Sequence, residues 1–431
     1  MKPKLSDVVY LNLVLLVIFL PFSKVYLFSR GAFTPYTDII LYGADILIFS
    51  LILQTIIYEI HQKTRQNGSK IALFLLISGA ISLILSTFPR ETYNYYWILR
   101  LFEYLCLFLT ISYLFREVKF KKAIFWGFLA SGLLQTIIAA GQFITQHSLG
   151  LKILGEPIIA ANINGIAKID LINQKIIRAY GTFSHPNQLA AFLVVACATA
   201  WLIYATETNT LKRNVAAILM VLFIGGEFLS FSRAGIAALI IFFAFVLISI
   251  RIKHGWGAIK KQIEIIFLSF LVFSLILFPF LIARVSPAPT EFTRTFYNLN
   301  GVEVFNQNPI TGVGIGNLLP AMAQKIEAKQ AWQIQPPHNY FLEVACETGI
   351  IGLLLYIYLF ISRIVGLFKS EPLAQNRGDL ITLALIGIIF AFIFLMQFDH
   401  YFYTLPQTIL LLWLVLGMIN GQIKKPHNLG L

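Results

Sequence analysis

The chain has 431 residues, 58% of them hydrophobic and only 12% charged, with a mean hydropathy of +0.77. Soluble domains run near ~45–50% apolar and ~25% charged, so this composition excludes a string of soluble domains and points to an all-α, multi-pass membrane protein. The formal charge of +13 is spread over short loops, with no aromatic-interleaved basic patch of the kind that binds nucleic acid, and it reads as topology.

A ~19-residue hydropathy window picks out twelve apolar stretches, at residues 8–28, 38–58, 71–88, 96–115, 123–145, 188–205, 214–231, 234–250, 263–283, 340–362, 379–398 and 405–420. Each suits a crossing of ~30 Å of hydrocarbon. Lys2 and Lys4 before the first stretch imitate a signal peptide, but no small-residue cleavage site follows, so the stretch is expected to be a span. With the N-terminus inside, the inner segments hold 20 Lys and Arg in 73 residues and the outer ones 11 in about 120, the asymmetry that the positive-inside rule demands. Both termini are expected in the cytoplasm. Cys106, Cys197 and Cys346 lie in apolar stretches without CxxC or Cys/His spacing, which argues against a disulfide or thiolate metal site.

Two long connections, 146–187 and 284–339, fall outside on this topology. Their glycines, asparagines and prolines disfavour long rigid elements, while Ile158-Ile159 and Leu318-Leu319 favour short helices lying in the interface. Histidines 147, 185, 338 and 400 gather on the same outer side, so a site built from His and Arg is expected there.

Four stretches carry candidate chemistry. Arg178 leads through Gly181-Thr182-Phe183-Ser184-His185-Pro186-Asn187 into the sixth span; an arginine fork beside free helix N–H groups suits an anion, and the plainer reading is a capped helix start with a snorkelling arginine. Ser232-Arg233-Ala234-Gly235 puts an arginine at or inside the membrane boundary, a costly placement that normally serves function. Asn308-Pro309-Ile310-Thr311-Gly312-Val313-Gly314-Ile315-Gly316-Asn317 contains Gly-x-Gly-x-Gly, whose backbone can bend around a phosphate or sugar or simply turn. Pro336-Pro337-His338-Asn339-Tyr340 opens the tenth span with a histidine held by a rigid approach, followed by Glu343 and Glu347 on one helical face, which can orient it or bond other helices. Asp399-His400 is a secondary candidate. HExxH, GxSxG, Walker and Asp-x-Asp patterns are absent, so ATP use, serine hydrolysis and metal assistance lack support.

In this order, and together with Glu347-Thr348-Gly349-Ile350-Ile351-Gly352, these stretches resemble the O-antigen ligase/polymerase family of bacterial envelope proteins over roughly residues 178 to 355. The first five spans match only in being hydrophobic. The resemblance implies a glycosyltransferase that moves a glycan from an undecaprenyl-diphosphate carrier to an acceptor hydroxyl, on a lipid or another glycan, at the outer face of the inner membrane. It further implies an inverting, metal-independent transfer without cofactor. By motif position Arg178 and Arg233 hold the diphosphate, Arg294 is a third arginine, His338 activates the acceptor, and Asn187, Gly312, Gly314, Asn339 and Glu347 support the site. The expected organisation is an N-terminal membrane part at 1–145, a ligase-like core at 146–362, and two C-terminal spans with a tail at 363–431. Twelve spans and one dominant outer loop before His338 resemble ligases, and the 146–187 loop resembles polymerases. A small-anion transporter is the alternative from another class; it would need polar residues lining both halves of the membrane, and midspan ionisable groups are few (Lys24, Arg100, Glu103, Glu227).

Overall fold

A computed structural model describes residues 4–22, 25–29, 31–33, 36–62, 69–171, 174–285, 294–326, 333–370 and 377–423; Lys24 lies outside them. In chain order the elements are α1 (Leu5–Phe19), β1 (Val25–Ser29), β2 (Ile39–Tyr42), α2 (Gly43–His61), α3 (Lys70–Leu85), α4 (Thr92–Leu114) and α5 (Val118–Thr145). A short hairpin of β3 (Lys168–Asp170) and β4 (Lys175–Ile177) precedes α6 (Pro186–Thr206), α7 (Thr210–Leu229), α8 (Arg233–His254), α9 (Lys260–Ile276) and α10 (Phe278–Val285). There follow α11 (Arg294–Gln307), α12 (Leu318–Ala323), α13 (Tyr340–Ser370), α14 (Arg377–Met396), α15 (Tyr401–Thr404) and α16 (Pro406–Ile423).

A helix overlaps every apolar stretch read from the sequence. Among the described residues seven helices are long and apolar enough to cross a membrane, eight if α9 and α10, bent by 78° at Leu277, form one broken span. Two expectations need correction. The stretch 8–28 is not one helix: α1 ends at Phe19, and Val25–Ser29 instead pairs antiparallel with Ile39–Tyr42. Pro21, which removes a backbone donor, stands where the helix gives out. The 146–187 connection likewise folds around the β3–β4 hairpin and a single three-residue helical turn at Lys152–Leu154, whereas the 284–339 connection does carry two helices, α11 and α12.

The chain divides into two compact units. The first is drawn from Met1–Lys24, Glu117–Ala288 and Leu367–Leu395. Its centre is α6, buried without interruption from Pro186 to Leu202. Apolar side chains gain nothing by leaving lipid for another apolar helix, so close backbone approach must hold such helices together. Gly132 of α5 supplies it: a Cβ there would lie 2.7 Å from the Ala196 Cβ and 2.9 Å from the Phe223 ring.

The second unit is drawn from Val25–Arg116, Pro289–Gly366 and Met396–Leu431. Its most enclosed helix, α16, lies against α4, with Gly417 and Gly421 facing the Phe108 and Ser112 carbonyls and Asn420 donating to Ser112 Oγ over 2.5 Å. The buried charge in α4 is paired locally: Arg100 reaches Asp45 of α2 at 2.8 Å and Glu103 at 2.7 Å, with the rings of Tyr42, Tyr96 and Tyr104 around its guanidinium. An unpaired arginine there would be expensive, and the two carboxylates offset part of that cost.

Candidate active site

In the first unit the two arginine motifs meet at one turn. Arg178, 4% exposed, donates from Nε to the Ser230 carbonyl at 2.8 Å and from Nη2 to Asn187 Oδ1 at 2.7 Å. The Gly181–Asn187 stretch is tied down from α5. Gln142 accepts from the Tyr180 and Gly181 N–H groups, both at 2.9 Å, and Gln135 accepts from the Thr182 N–H at 2.9 Å. Neither glutamine stood out in the sequence, since α5 reads only as hydrophobic. His185 serves as the cap of α6, accepting from the Asn187 N–H at 3.1 Å, and Pro186 occupies the first helical position.

Three residues after Ser230, Arg233 opens α8 with Ser232 Oγ as its cap. Phe231, between them, adopts a left-handed conformation (φ 47°), uncommon for a bulky residue and typical of functional turns. Arg233 is exposed, and among the described residues it has no hydrogen bond or ion pair. Gly235 leaves room for Glu227, whose Oε1 would lie 2.1 Å from a Cβ at that position. The buried Glu227 carboxylate thus rests near the positive end of α8.

In the second unit the glycine-rich loop has a partner of its own. Helix α13 breaks at Gly349 (φ 66°), which frees backbone groups on either side. The loop takes them up: Val313 N–H donates to the Cys346 carbonyl at 2.8 Å, Gly314 N–H to that of Glu347 at 3.0 Å, and Ile350 N–H to the Pro309 carbonyl at 2.9 Å. Gly312 and Gly349 are required because a Cβ at either would lie within 2.4 Å of the other strand's backbone. The Gly314 N–H is therefore engaged with α13. Glu347 faces elsewhere: its carboxylate takes the Tyr403 hydroxyl at 3.0 Å and the N–H groups of Gly316 and Leu318 at the start of α12.

His338 enters a cluster at the head of α13. Asn339 caps the helix by accepting from the Leu342 N–H at 3.0 Å. The His338 Nδ1 lies 3.5 Å from Asp399 Oδ1, and Arg294 Nη2 lies 3.7 Å from the other Asp399 oxygen. So Asp399, and not Glu343 or Glu347, is the carboxylate that faces the imidazole. The His338 ring meets Tyr297 edge-on at 5.9 Å and His400 at 5.2 Å. His400 is buried, with Nδ1 2.6 Å from Thr404 Oγ1; burial above all pushes its pKa down to about 3, so it stays neutral at physiological pH. Partial burial raises the Tyr297 phenol to about 12, so Tyr297 stays protonated too.

Ligand-type atoms of His338, Asp399 and His400 all lie within 4.8 Å of one another, a spacing that also suits a cation. Arg294 already brings positive charge to Asp399. Thus the structure brings His338, Asn339 and Arg294 together in one unit, and Arg178, Asn187 and Arg233 together in the other.

Residues 216–357 match the family model described as O-antigen ligase (Wzy_C). The match takes in the Ser232–Gly235 turn, the glycine-rich loop, His338 and the Gly349 break, and begins after the Gly181–Asn187 stretch. No curated protein matches the chain. Within this multi-pass helical membrane protein, residues 216–357 are thus similar to an O-antigen ligase domain.

Proposed function

We propose that the protein is a glycosyltransferase that moves a glycan from an undecaprenyl-diphosphate carrier to an acceptor hydroxyl at the outer face of the inner membrane, with twelve spans and both termini cytoplasmic. The observation that carries this reading is the His338–Asp399–Arg294 array, of which His338 and Arg294 lie in the stretch that matches the ligase model and Asp399 lies beyond it. Asp399 at Nδ1 favours the tautomer with its proton on Nδ1, which leaves Nε2 as the acceptor. In the proposed step the acceptor oxygen attacks the anomeric carbon as Nε2 takes its proton. The bond from that carbon to the diphosphate oxygen breaks, the diphosphate leaves with the electron pair, and the anomeric configuration inverts.

A diphosphate leaves readily, so the enzyme needs fixed positive charge and a base more than a metal. Arg294 supplies charge beside the base. Arg233, uncommitted among the described residues, is the second proposed contact, and Arg178, whose donors reach Ser230 and Asn187, is assigned to holding the turn that presents it. The ligase assignment over polymerase rests on the 284–339 connection before His338.

Transfer from a defined undecaprenyl-diphosphate oligosaccharide to lipid A core, followed in proteoliposomes, tests the proposal. Formation of the β- from the α-linked donor, or the reverse, supports an inverting ligase. Chain growth on the carrier with no core product would make it a polymerase, and anion flux without either product would make it a transporter.

A further inference from the structure

The turn that presents Arg233 holds a conformation that its own residue resists. Phe231, 1% exposed, sits at φ 47°. There the Cβ of an L-residue crowds the following carbonyl, so a bulky residue populates the left-handed form about tenfold less than the right-handed one, or ~1.4 kcal/mol. The peptide plane before Phe231 is fixed on both edges: Arg178 Nε donates to the Ser230 carbonyl at 2.8 Å, and the Phe231 N–H donates to the Phe228 carbonyl at 2.9 Å. Rotation at Phe231 therefore decides where the chain goes next, and Arg233 is two residues on. These bonds use only backbone atoms of Phe231 and would serve a glycine as well, so they give no reason for a phenylalanine.

Two other rings give one. The Phe231 ring lies 5.6 Å from that of Phe143 in α5 and meets that of Phe280 in α10 edge-on at 6.1 Å, while Phe143 and Phe280 meet each other edge-on at 5.6 Å. Each ring touches the other two, at separations where aromatic pairs attract beyond their burial. Phe280 is available because α9 does not run straight on. Pro279 lacks the N–H that would continue the helix, the axis turns by 78°, and α10 sets Phe280 against Phe231 while Phe278 and Ile282 stay exposed. All of these residues belong to the first unit.

We propose that Phe143 and Phe280 are positioning residues for Arg233: their rings hold Phe231 in its left-handed conformation, and that conformation aims the arginine. Strained backbone of this kind persists only where its surroundings over-determine it. With the ring splint gone, the fraction of molecules with Arg233 aimed falls towards about a tenth, and the affinity for whatever Arg233 binds falls by the same factor. A glycine at 231 needs no splint, because without a Cβ it takes left- and right-handed forms about equally and leaves about half the molecules aimed. This inference rests on the reading of Arg233 as a diphosphate contact and adds what directs it.

The test is a rescue. Full-length protein in nanodiscs is titrated calorimetrically with farnesyl diphosphate against empty nanodiscs, and hydrogen exchange over residues 229–236, corrected for intrinsic rates, reports on the turn itself. Phe280→Ala should weaken binding about three- to tenfold and speed exchange. If Phe280→Ala does not accumulate, Phe280→Leu, which keeps the apolar bulk and drops the ring, replaces it. Phe231→Gly alone should stay within about threefold of wild type in both readouts. Phe231→Gly added to Phe280→Ala should bring both back to within about threefold of wild type, although it deletes a second ring. Rings that served stability alone would lose further ground on that second deletion. A double variant that exchanges as fast as Phe280→Ala or binds no tighter overturns the proposal, and so does a Phe280→Ala protein indistinguishable from wild type. Restored exchange in a protein whose wild type binds the diphosphate no better than Arg233→Ala supports the splint and overturns the diphosphate contact alone.

Discussion

Asp399 is expected to act through His338, and a double-mutant cycle separates that from an independent role. Asp399→Asn keeps the shape but removes the charge that stabilises an imidazolium and fixes its tautomer. A hydrogen bond to a charged group contributes about 1.5–3 kcal/mol. At 3.5 Å the His338–Asp399 contact is long, so the lower end applies, about 1.5 kcal/mol or roughly tenfold in rate. His338→Ala removes the base itself and should slow transfer about 10²–10⁴-fold. If the aspartate works only through the imidazole, Asp399→Asn in the His338→Ala background should cost less than about threefold, and the two losses should not multiply. The assay is single-turnover transfer at saturating donor in proteoliposomes, so that weakened donor binding through Arg294 does not enter. A tenfold further loss in the double variant would refute the reasoning and give Asp399 a role of its own.

The remaining predictions address charge, protonation, backbone and topology. Arg233→Ala should abolish transfer with its melting temperature unchanged, because the side chain has no partner among the described residues, and Arg233→Lys should restore only part of it; Arg178→Ala should instead lower the melting temperature, because it breaks bonds to Ser230 and Asn187. His400 is held neutral down to about 3 while an unfolded histidine titrates near ~6.5, so the folded state binds fewer protons and stability is lost as pH falls below ~6.5; wild type should lose about 2 kcal/mol more than His400→Gln between pH 6.5 and 5, read from chemical denaturation. Gly349→Ala should prevent accumulation of folded protein, judged by size-exclusion profile, since it combines a left-handed residue costing ~1–2 kcal/mol with a Cβ 2.1 Å from the Ile310 oxygen. Transfer should survive EDTA; its loss, with recovery on adding zinc, would turn His338, Asp399 and His400 from a base and its support into metal ligands. In spheroplasts a cysteine at Lys175 should react with an impermeant reagent and one at Lys253 should not, and the reverse pattern would invert the membrane orientation.

Hydropathy made the helices legible because a segment that crosses lipid must be apolar along nearly all its length, whichever neighbours it meets. It misled at 8–28, where Val25–Ser29 is as apolar as a helix but satisfies its backbone across a hairpin. The site was legible as a set of motifs and not as a set of contacts. His338 and Asp399 are 61 residues apart, a separation no helical period encodes, so the nearer Glu343 and Glu347 stood as the carboxylates able to orient the imidazole, which Asp399 faces instead. The anchoring amides Gln135 and Gln142 were hidden because one polar residue on a hydrophobic helix looks the same whether it faces lipid, a neighbour or a loop. The spacing of the glycines was visible; that their partner is the chain's own broken helix was not.

That exchange of hydrogen bonds between Pro309–Gly314 and Cys346–Ile350 has a mechanical consequence. A helix interrupted at Gly349 would ordinarily be a hinge, free to swing its first two turns. Here the loop splints the fracture from both sides, with Ser82 of α3 donating to the same Glu347 carbonyl that Gly314 uses, and Ser86, at the end of α3, donating to the loop's Val313 carbonyl. The segment bearing His338 is thereby immobilised against the rest of its unit, so substrates must come to the imidazole, and any opening and closing during turnover must be borne by other parts of the protein.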